Sequence, residues 1–541
     1  MKTLTIQATQ PKSLEMIMNE HQIQAICANV DGRLRELNYV VEGKHDITFL
    51  DLHVDQAMRI YETTLRYMIL KVLYEFDSRI QVTFNYSISR SIYMDIKSSY
   101  SDDMILDIMH SGLKKLIQDE LPITRITLKK EEVLNRYKKV NMEHKTHIFT
   151  YRHDEVSRVY QCGNYMNYLY GYMLPNTSYI TDYHIFKYNN GFILQYPRAE
   201  FDASIPPFVD EVTYKNTLKN VAKWSKIIEG DTLDKMNVYA TSCHSAVSLI
   251  QMSESKHSAM LYELAEDISK KYQSLKLIAI AGPSSSGKTT FARRLQVELQ
   301  ARGLHPVTVS IDDYYLEPSK VPRQDNGSPD LEHIESLDLV QFNQDLKALI
   351  ERKEVTLPHF DFHTKKRKEG EKLQLQDEDV ILIEGIHALN ERLTASISRT
   401  QKYFIYIAPQ SQLHIDRETP IRVSDIRLLR RIVRDFVFRD TSAEETISMW
   451  ASVRRGEFKW IYEHQKHADY VFNSELTYEL AVLKKHAIKR LTAIEPTSPH
   501  FMKANYLLKF LKYIVDIDDT LVPNQSLLRE FIGGSVFECS H

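Results

Sequence analysis

The chain of 541 residues is too long for one ordinary hydrophobic core, and roughly two to four domains are expected. Hydrophobic residues at 43% and charged residues at 26% are the ordinary balance of a globular protein in water. The 69 basic and 72 acidic residues leave a net charge of -3, which excludes a global field aimed at nucleic acid or a membrane.

Four cysteines, Cys27, Cys162, Cys243 and Cys539, form no C-x-x-C pair. That argues against a disulfide framework or a zinc knuckle and fits a reducing cytosol. The segment from Met1 to Ile6 lacks the apolar stretch of a signal peptide, and no apolar run is long enough to span a bilayer. A cytoplasmic protein is expected.

Residues 1–55 are short and strand-like. Asp31-Gly32 reads as a hairpin turn between Ile26–Val30 and Leu37–Val41. A helix follows from Gln56 to about Phe76, with Met58, Leu65, Ile69, Val72 and Leu73 at helical spacing. Strands and helices mix over 77–205, a stretch rich in tyrosine that ends at the Pro206-Pro207 break. Residues 206–275 are mainly helical and carry the chain to a further domain over 276–490. Pro496 and Pro499 punctuate a C-terminal extension over 491–541.

The most informative run is Gly282-Pro283-Ser284-Ser285-Ser286-Gly287-Lys288-Thr289, a Gly-x-x-x-x-Gly-Lys-Thr phosphate loop. The apolar Leu277–Ala281 before it reads as a buried parallel strand, and a helical pattern begins at Thr290. Strand, glycine-rich loop and helix together direct N–H groups at a polyphosphate. Gly282, Ser284, Ser285, Ser286, Gly287, Lys288, Thr289 and Thr290 are therefore candidate ATP contacts. Lys288 would reach the outer phosphates, and the Thr289 hydroxyl would ligate Mg²⁺. A second strand candidate, Val307–Ile311, ends in Asp312-Asp313, and a third, Val380–Ile383, ends in Glu384. Acids at the carboxyl ends of parallel strands stand where open α/β sheets place ligands. One of the first pair is a candidate general base, and Glu384 is a candidate Mg²⁺ holder.

Residues 276–475 resemble the uridine kinase/phosphoribulokinase family. The phosphate loop, Ser310–Tyr315, Ser328-Pro329-Asp330, Leu357–Phe362, Ile383–Ile386 and Asp425–Asp435 carry the resemblance. It implies a parallel sheet with helices on both faces, and transfer of the ATP γ-phosphoryl group to a sugar hydroxyl. In uridine kinases that hydroxyl is the ribose 5′-OH. Position by position, the resemblance makes Asp312 the base, with Asp313 as the alternative. It makes Lys288 and Glu384 catalytic partners, and Asp330 and Arg427 ribose contacts. It makes Arg430, Arg431 and Arg434 phosphate-facing lid arginines. Phe360, Phe362 and Arg367 complete the expected acceptor site. Phe360 stands where the family has a base-reading tyrosine, and Lys365 where it has a histidine. A phenyl ring stacks but donates no hydrogen bond. A purine nucleoside, another pyrimidine analogue or a non-nucleoside polyol therefore stays open beside uridine or cytidine.

The N-terminal half carries a second resemblance. Residues 1–55, through His45–Leu50, resemble a TGS β-grasp domain. Residues 56–205 resemble the second N-terminal domain of threonyl-tRNA synthetase, through Ala57–Tyr61, Asp119–Ile123 and Lys129–Val133. The fold class implied is α+β for these two domains, followed by the α/β kinase domain. The synthetase's histidine pair is replaced by Thr63 and Tyr67, so tRNA editing is expected to be lost. Cys162 stands near the family's cysteine and reads as a small buried residue. Tyr165, Tyr168, Tyr170 and Tyr172 read as packing rather than base stacking. Regulation of the kinase, a nucleotide or RNA ligand and a homo-oligomer interface stay open for this half.

Near the end, Asp516-Ile517-Asp518-Asp519-Thr520-Leu521 mimics a phosphatase nucleophile motif. Too little chain follows it for that fold, and an acidic turn is expected. The whole pattern resembles long bacterial nucleoside kinases. The expected function is an ATP:nucleoside 5′-phosphotransferase with a small-molecule acceptor and no membrane partner. The alternatives are a kinase of another sugar or polyol, and an RNA- or tRNA-linked regulator driven by ATP.

Overall fold

The computed structural model describes residues 2–140, 142–152, 154–210, 212–323, 327, 329–361, 364, 366–411 and 413–537. Met1, Ser328, Phe362, Lys365 and Cys539, all named above, lie outside the described residues.

The chain begins with β1 (Lys2–Ser13), α1 (Leu14–Glu20), β2 (Cys27–Val30), β3 (Arg33–Glu36) and β4 (Val40–Leu50). These strands form one antiparallel sheet in the order β1-β4-β2-β3. Asp31 and Gly32 both have positive φ, 49° and 78°, and their two-residue turn sets Val30 opposite Arg33. The expected second strand over 37–41 is thereby corrected. A two-residue turn pairs the residues that flank it, so the polar Arg33–Glu36 becomes the partner strand.

Next come α2 (Asp55–Phe76), β5 (Gln81–Ile88), β6 (Ser91–Lys97), α3 (Asp102–Gln118), β7 (Thr124–Lys129), α4 (Lys130–Lys139), β8 (Val156–Cys162), β9 (Tyr165–Asn167), β10 (His184–Tyr188) and β11 (Gly191–Gln195). They build two further sheets, β10-β11-β6-β5 and β7-β8-β9. Helix α2 is buried on every face from Ile60 to Leu73, charged residues included. Burial demands partners for those charges. Glu62 pairs with Arg422, and Arg66 donates to the Glu418 carbonyl at 2.6 Å. The sequence shows an amphipathic stripe, but the remaining face is also covered, by residues from the far end of the chain.

Helices α5 (Val212–Ile227), α6 (Leu233–Tyr239) and α7 (Cys243–Lys271) lead to the kinase region. There follow β12 (Leu277–Ala281), α8 (Lys288–Gln300), β13 (His305–Ser310), α9 (Leu339–Ile350), β14 (Val355–Asp361), β15 (Lys366–Leu373), β16 (Asp379–Glu384), β17 (Lys402–Ala408), β18 (His414–Asp416), β19 (Thr419–Pro420), α10 (Val423–Arg439), α11 (Ala443–Trp460), β20 (Tyr470–Asn473), α12 (Glu479–Thr492), α13 (Phe501–Leu511) and α14 (Arg529–Ile532). The parallel sheet runs β13-β16-β12-β17-β20. Central β12 is buried on both faces. Leu277, Ala279 and Ala281 feed one core, and Ile278 and Ile280 the other, as the two-residue period of a strand requires. The second core also takes Leu507, Phe510, Leu527, Leu528 and Phe531, so the C-terminal extension packs into the kinase core. Among the described residues no helix is long and apolar enough to cross a membrane.

Candidate active site

The phosphate loop joins β12 to α8. Its glycines answer close approaches. A Cβ on Gly282 would lie 2.0 Å from the Ile407 carbonyl oxygen, and one on Gly287 (φ 90°) would strike Leu527 at 2.4 Å. Lys288 folds back over the loop, donating to the Gly282 carbonyl at 3.0 Å and more weakly to Pro283. The Ser285 and Ser286 hydroxyls are buried without a hydrogen-bond partner among the described residues. Two loop amides are met by carboxylates: Ser284 N–H donates to Glu457 at 3.1 Å and Thr290 N–H to Glu530 at 3.0 Å.

The Thr289 hydroxyl donates to Glu384 Oε1 at 2.8 Å, linking the first turn of α8 to the end of β16. These two hard oxygen donors fit Mg²⁺, which takes few protein ligands and completes its shell with phosphate oxygens and water. Among the described residues no cluster of three or more His, Cys, Asp or Glu could hold a metal. Burial raises the Glu384 carboxyl above its ordinary pKa, and Lys288 opposes that rise. Burial likewise lowers Lys288, while Glu384, Glu530 and Asp312 pull it back up.

The two candidate bases are separated by their partners. Asp313 accepts from the Phe360 N–H at 3.1 Å and pairs with His359 at 3.0 Å, which ties it to β14. The Asp312 carboxylate has no hydrogen-bond partner among the described residues. Asp312 is open to solvent, yet the protein around it partly desolvates its carboxylate. Its pKa is raised by that desolvation and lowered by Lys288.

The arginines of α10 divide into two kinds, which corrects the expectation of one lid face. Arg427 is 1% exposed and Arg430 0%. Arg427 donates to the Ser284 carbonyl at 2.9 Å and pairs with Glu457. Arg430 donates to the Ser285 carbonyl at 3.3 Å and the Ser474 carbonyl at 2.7 Å, and pairs with Glu479. Both are struts that hold phosphate-loop carbonyls, so a ribose contact by Arg427 or a lid role for Arg430 would require breaking a buried ion pair. Arg431 and Arg434 are only partly buried. Arg431 donates to the Ser284 hydroxyl at 2.8 Å, and both lean on Asp435. These two can turn to an incoming phosphate. Arg439, one turn beyond, acts electrostatically on Asp312 and is a cation that the motif did not indicate.

On the acceptor side, Asp330 is partly exposed, and its carboxylate accepts from the Glu332 N–H at 3.3 Å. Phe360 is 6% exposed, with its ring 5.9 Å from that of Tyr315. Arg367 corrects another expectation. Its guanidinium donates to Gln341 at 2.7 Å and to the Tyr314 carbonyl at 2.9 Å, and pairs with Asp338 at 3.1 Å. It latches the β14–β15 hairpin to α9 instead of facing an acceptor. Two further residues, half-buried Glu332 and buried His387, were not indicated by sequence. Burial and then Glu457 push Glu332 up to about 7. His387 is 1% exposed, and among the described residues neither ring nitrogen has a well-formed hydrogen bond. A single sequence carries no signal for either.

In the N-terminal half, Thr63 bonds its own helix through the Arg59 carbonyl, and the Tyr67 hydroxyl donates to the Tyr165 carbonyl at 3.1 Å. Cys162, Tyr165 and Tyr168 are buried core residues, while Tyr170 and Tyr172 pack at its margin. The acidic motif near the C-terminus is a short turn, with Asp518 capping Thr520 and Asp519 bound to Lys485 and His486.

Residues 277–481 match the family model described as Phosphoribulokinase / Uridine kinase family. A uridine kinase of Ureaplasma parvum is 31% identical over 176 residues, spanning 32% of this chain and 76% of that enzyme. The chain belongs to the phosphoribulokinase/uridine kinase family. It is an ATP-dependent kinase. A uridine kinase of Halobacterium salinarum is 28% identical over 195 residues, covering 36% of this chain and 78% of its own. Among solved structures, a D-glycerate 3-kinase from Cryptococcus neoformans aligns over 47% of this chain and 90% of its own, at 17% identity and a TM-score of 0.21. All of the family match falls in the C-terminal half, on the parallel sheet and the site just described.

Proposed function

We propose that this kinase transfers the γ-phosphoryl group of ATP to the 5′-hydroxyl of a nucleoside. The observation that carries the reading is the division of labour between Asp312 and Asp313. Asp313 is committed to β14, while Asp312 is solvent-accessible, without a hydrogen-bond partner among the described residues and within the field of Lys288. A carboxylate so placed can orient an acceptor hydroxyl and take its proton as the phosphoryl group moves. Uridine kinases among the relatives support a nucleoside acceptor.

Phosphoryl transfer needs positioning and positive charge more than covalent help. Residues 282–290 would cradle the phosphates, with Lys288 on the outer ones. Thr289 and Glu384 would hold Mg²⁺, which when bound supplies charge to the phosphate oxygens. Arg431 and Arg434 would turn from Asp435 to the transferring group and exclude water. Asp330 would hold ribose hydroxyls, and Phe360 would offer an apolar face near the base.

For the N-terminal half, the TGS-like reading of 1–55 and the synthetase-like reading of 56–205 rest on their sequence segments. Filled positions at Thr63, Tyr67 and Cys162 support a domain without editing chemistry, whose role is to brace or regulate the kinase.

The test is ADP release with Mg-ATP and a panel of nucleosides, free sugars and polyols, with product mass determined. Nucleoside-dependent ADP with a 5′-monophosphate product is the expected result. ADP formed only with a sugar or polyol would move the acceptor class. No acceptor dependence would sink the reading.

A further inference from the structure

Helix α8 cannot cap itself. Its N-cap is Gly287, which has no side chain, and its first turn holds no acid. Free N–H groups and the helix dipole make such an end attractive to an anion. In a phosphate loop that anion is the nucleotide's polyphosphate. In this chain a protein group is already there. Glu530 Oε2 accepts the Thr290 N–H at 3.0 Å across a separation of 240 residues.

The approach of Glu530 is built, not incidental. Leu527 and Leu528 are 1% and 0% exposed and Phe531 0%, all in the core shared with α10 and α12. Leu527 presses on Gly287 so closely that any Cβ there would collide with it. Phe531 lies 5.0 Å from the guanidinium of Arg430, the strut of the loop. Arg529 donates to the carbonyls of Asp519 at 3.0 Å and Val522 at 2.5 Å, and the Ser526 hydroxyl meets Tyr478 at 3.1 Å. This framework fixes the backbone of α14 while the Glu530 side chain stays partly exposed and able to swing.

We propose that the C-terminal segment is an internal ligand of the phosphate cradle. Its Glu530 carboxylate holds a seat that a phosphate oxygen of the nucleotide takes, so the nucleotide enters by displacing Glu530. Two anions cannot share one donor and one helix end without strong repulsion. Displacement therefore weakens binding of every phosphate-bearing ligand and leaves nucleoside binding alone. It also hastens loss of ADP, because Glu530 stands ready to recover its donor. The inference rests on residues 282–290 being the phosphate cradle, so its test carries a separate arm for that reading.

The experiment is calorimetric titration of the full chain with Mg-ADP, pyrophosphate and adenosine, using the wild type, Glu530→Gln, Glu530→Ala and Lys288→Ala. Glutamine keeps an acceptor for Thr290 and removes the charge, which guards against a folding artefact. Expected is Mg-ADP and pyrophosphate binding tighter by roughly 2- to 30-fold in Glu530→Ala, the range for one charge at a helix N-terminus, with Glu530→Gln between and adenosine unchanged. Unchanged or weaker Mg-ADP binding in both Glu530 variants, while Lys288→Ala abolishes it, overturns the proposal and spares the cradle. Mg-ADP binding untouched by Lys288→Ala overturns the cradle assignment and the proposal with it.

Discussion

Arg59 and Asp425 stand 366 residues apart in the chain and meet in a buried bidentate pair, at 2.7 and 2.9 Å. Arg59 lies on α2 of the N-terminal half, and Asp425 on the first turn of α10, the helix that supplies the phosphate-loop struts. Lys503 at 2.8 Å and the Tyr506 hydroxyl at 3.2 Å join Asp425 from α13. One carboxylate thus ties together the N-terminal half, the kinase region and the C-terminal extension. Its position on α10, two residues before Arg427 and five before Arg430, makes it a physical link between the N-terminal half and the phosphate-loop struts.

Replacing Asp425 by Asn should therefore destabilise the whole assembly. Removing one partner of a buried pair leaves the other charge uncompensated, and costs about 3–5 kcal/mol. The arginine and lysine around Asp425 hold its pKa well below the usual carboxylate range. A depressed carboxylate contributes stability that is present above its unfolded pKa and lost as pH falls through its folded pKa. The wild-type advantage over Asp425→Asn should then be full from pH 5 to 8 and shrink only below about pH 4. Thermal unfolding of both proteins across that range would show it, and equal midpoints at pH 7 would remove the pair from the account.

Lys288→Ala should abolish measurable phosphoryl transfer, with turnover lower by roughly 10²-fold or more, the loss expected when a charge-stabilising donor is removed. Near-normal turnover would mean that the phosphate loop is not where the transfer occurs.

Asp312→Asn should lower kcat by roughly 10²- to 10⁴-fold while Mg-ATP still binds, as expected for removal of a general base. A base must be ionised to accept a proton, so the wild-type rate should fall as pH drops through the Asp312 pKa. Burial raises that pKa, which sets the acid limb above the ordinary aspartate value. Asp313→Asn should instead loosen the β14 hairpin and leave most of kcat intact. If the two variants behave in the opposite way, the base is Asp313.

The α10 arginines should separate by phenotype. Arg430→Met leaves Glu479 buried without its cation and should cost about 3–5 kcal/mol of stability. Arg431→Ala touches a partly exposed side chain and should leave the unfolding midpoint within about 0.5 kcal/mol while lowering turnover. Paired measurements of melting and of kcat for the two variants decide it. A stable, slow Arg430→Met would restore that residue to the lid.

The N-terminal half should not deacylate Ser-tRNA(Thr). The two helix positions that would need imidazoles hold Thr63 and Tyr67, and both hydroxyls are already donated to backbone carbonyls. Time-dependent release of serine from the charged tRNA, above the rate without protein, would contradict this.

Much of the kinase site was readable in the linear chain because its signals are local. Eight consecutive residues state the phosphate loop, and Asp312 and Glu384 announce themselves as acids at the ends of apolar strands. The division of the arginines was not readable. Arg427, Arg430, Arg431 and Arg434 recur at helical spacing, and spacing cannot tell a guanidinium that meets Glu457 or Glu479 from one that meets solvent. Arg367 misled for the same reason. Within a run of basic residues it reads as a cation facing solvent or an anion, and the fold turns it inward onto α9.

The sequence by itself determined the class of chemistry, because a phosphate loop needs only glycines, a lysine and a threonine in fixed order. It also determined that Thr63 and Tyr67 stand at those two positions of α2, which is a matter of residue identity. Only the tertiary structure decided which arginines are buried struts and which lie half-exposed on Asp435, that the N-terminal half grips α10 through Arg59, and that Glu530 meets the Thr290 amide. Those are contacts between residues hundreds of positions apart. No local pattern encodes them, and the cost of burying an unpaired charge selects them once the chain has folded.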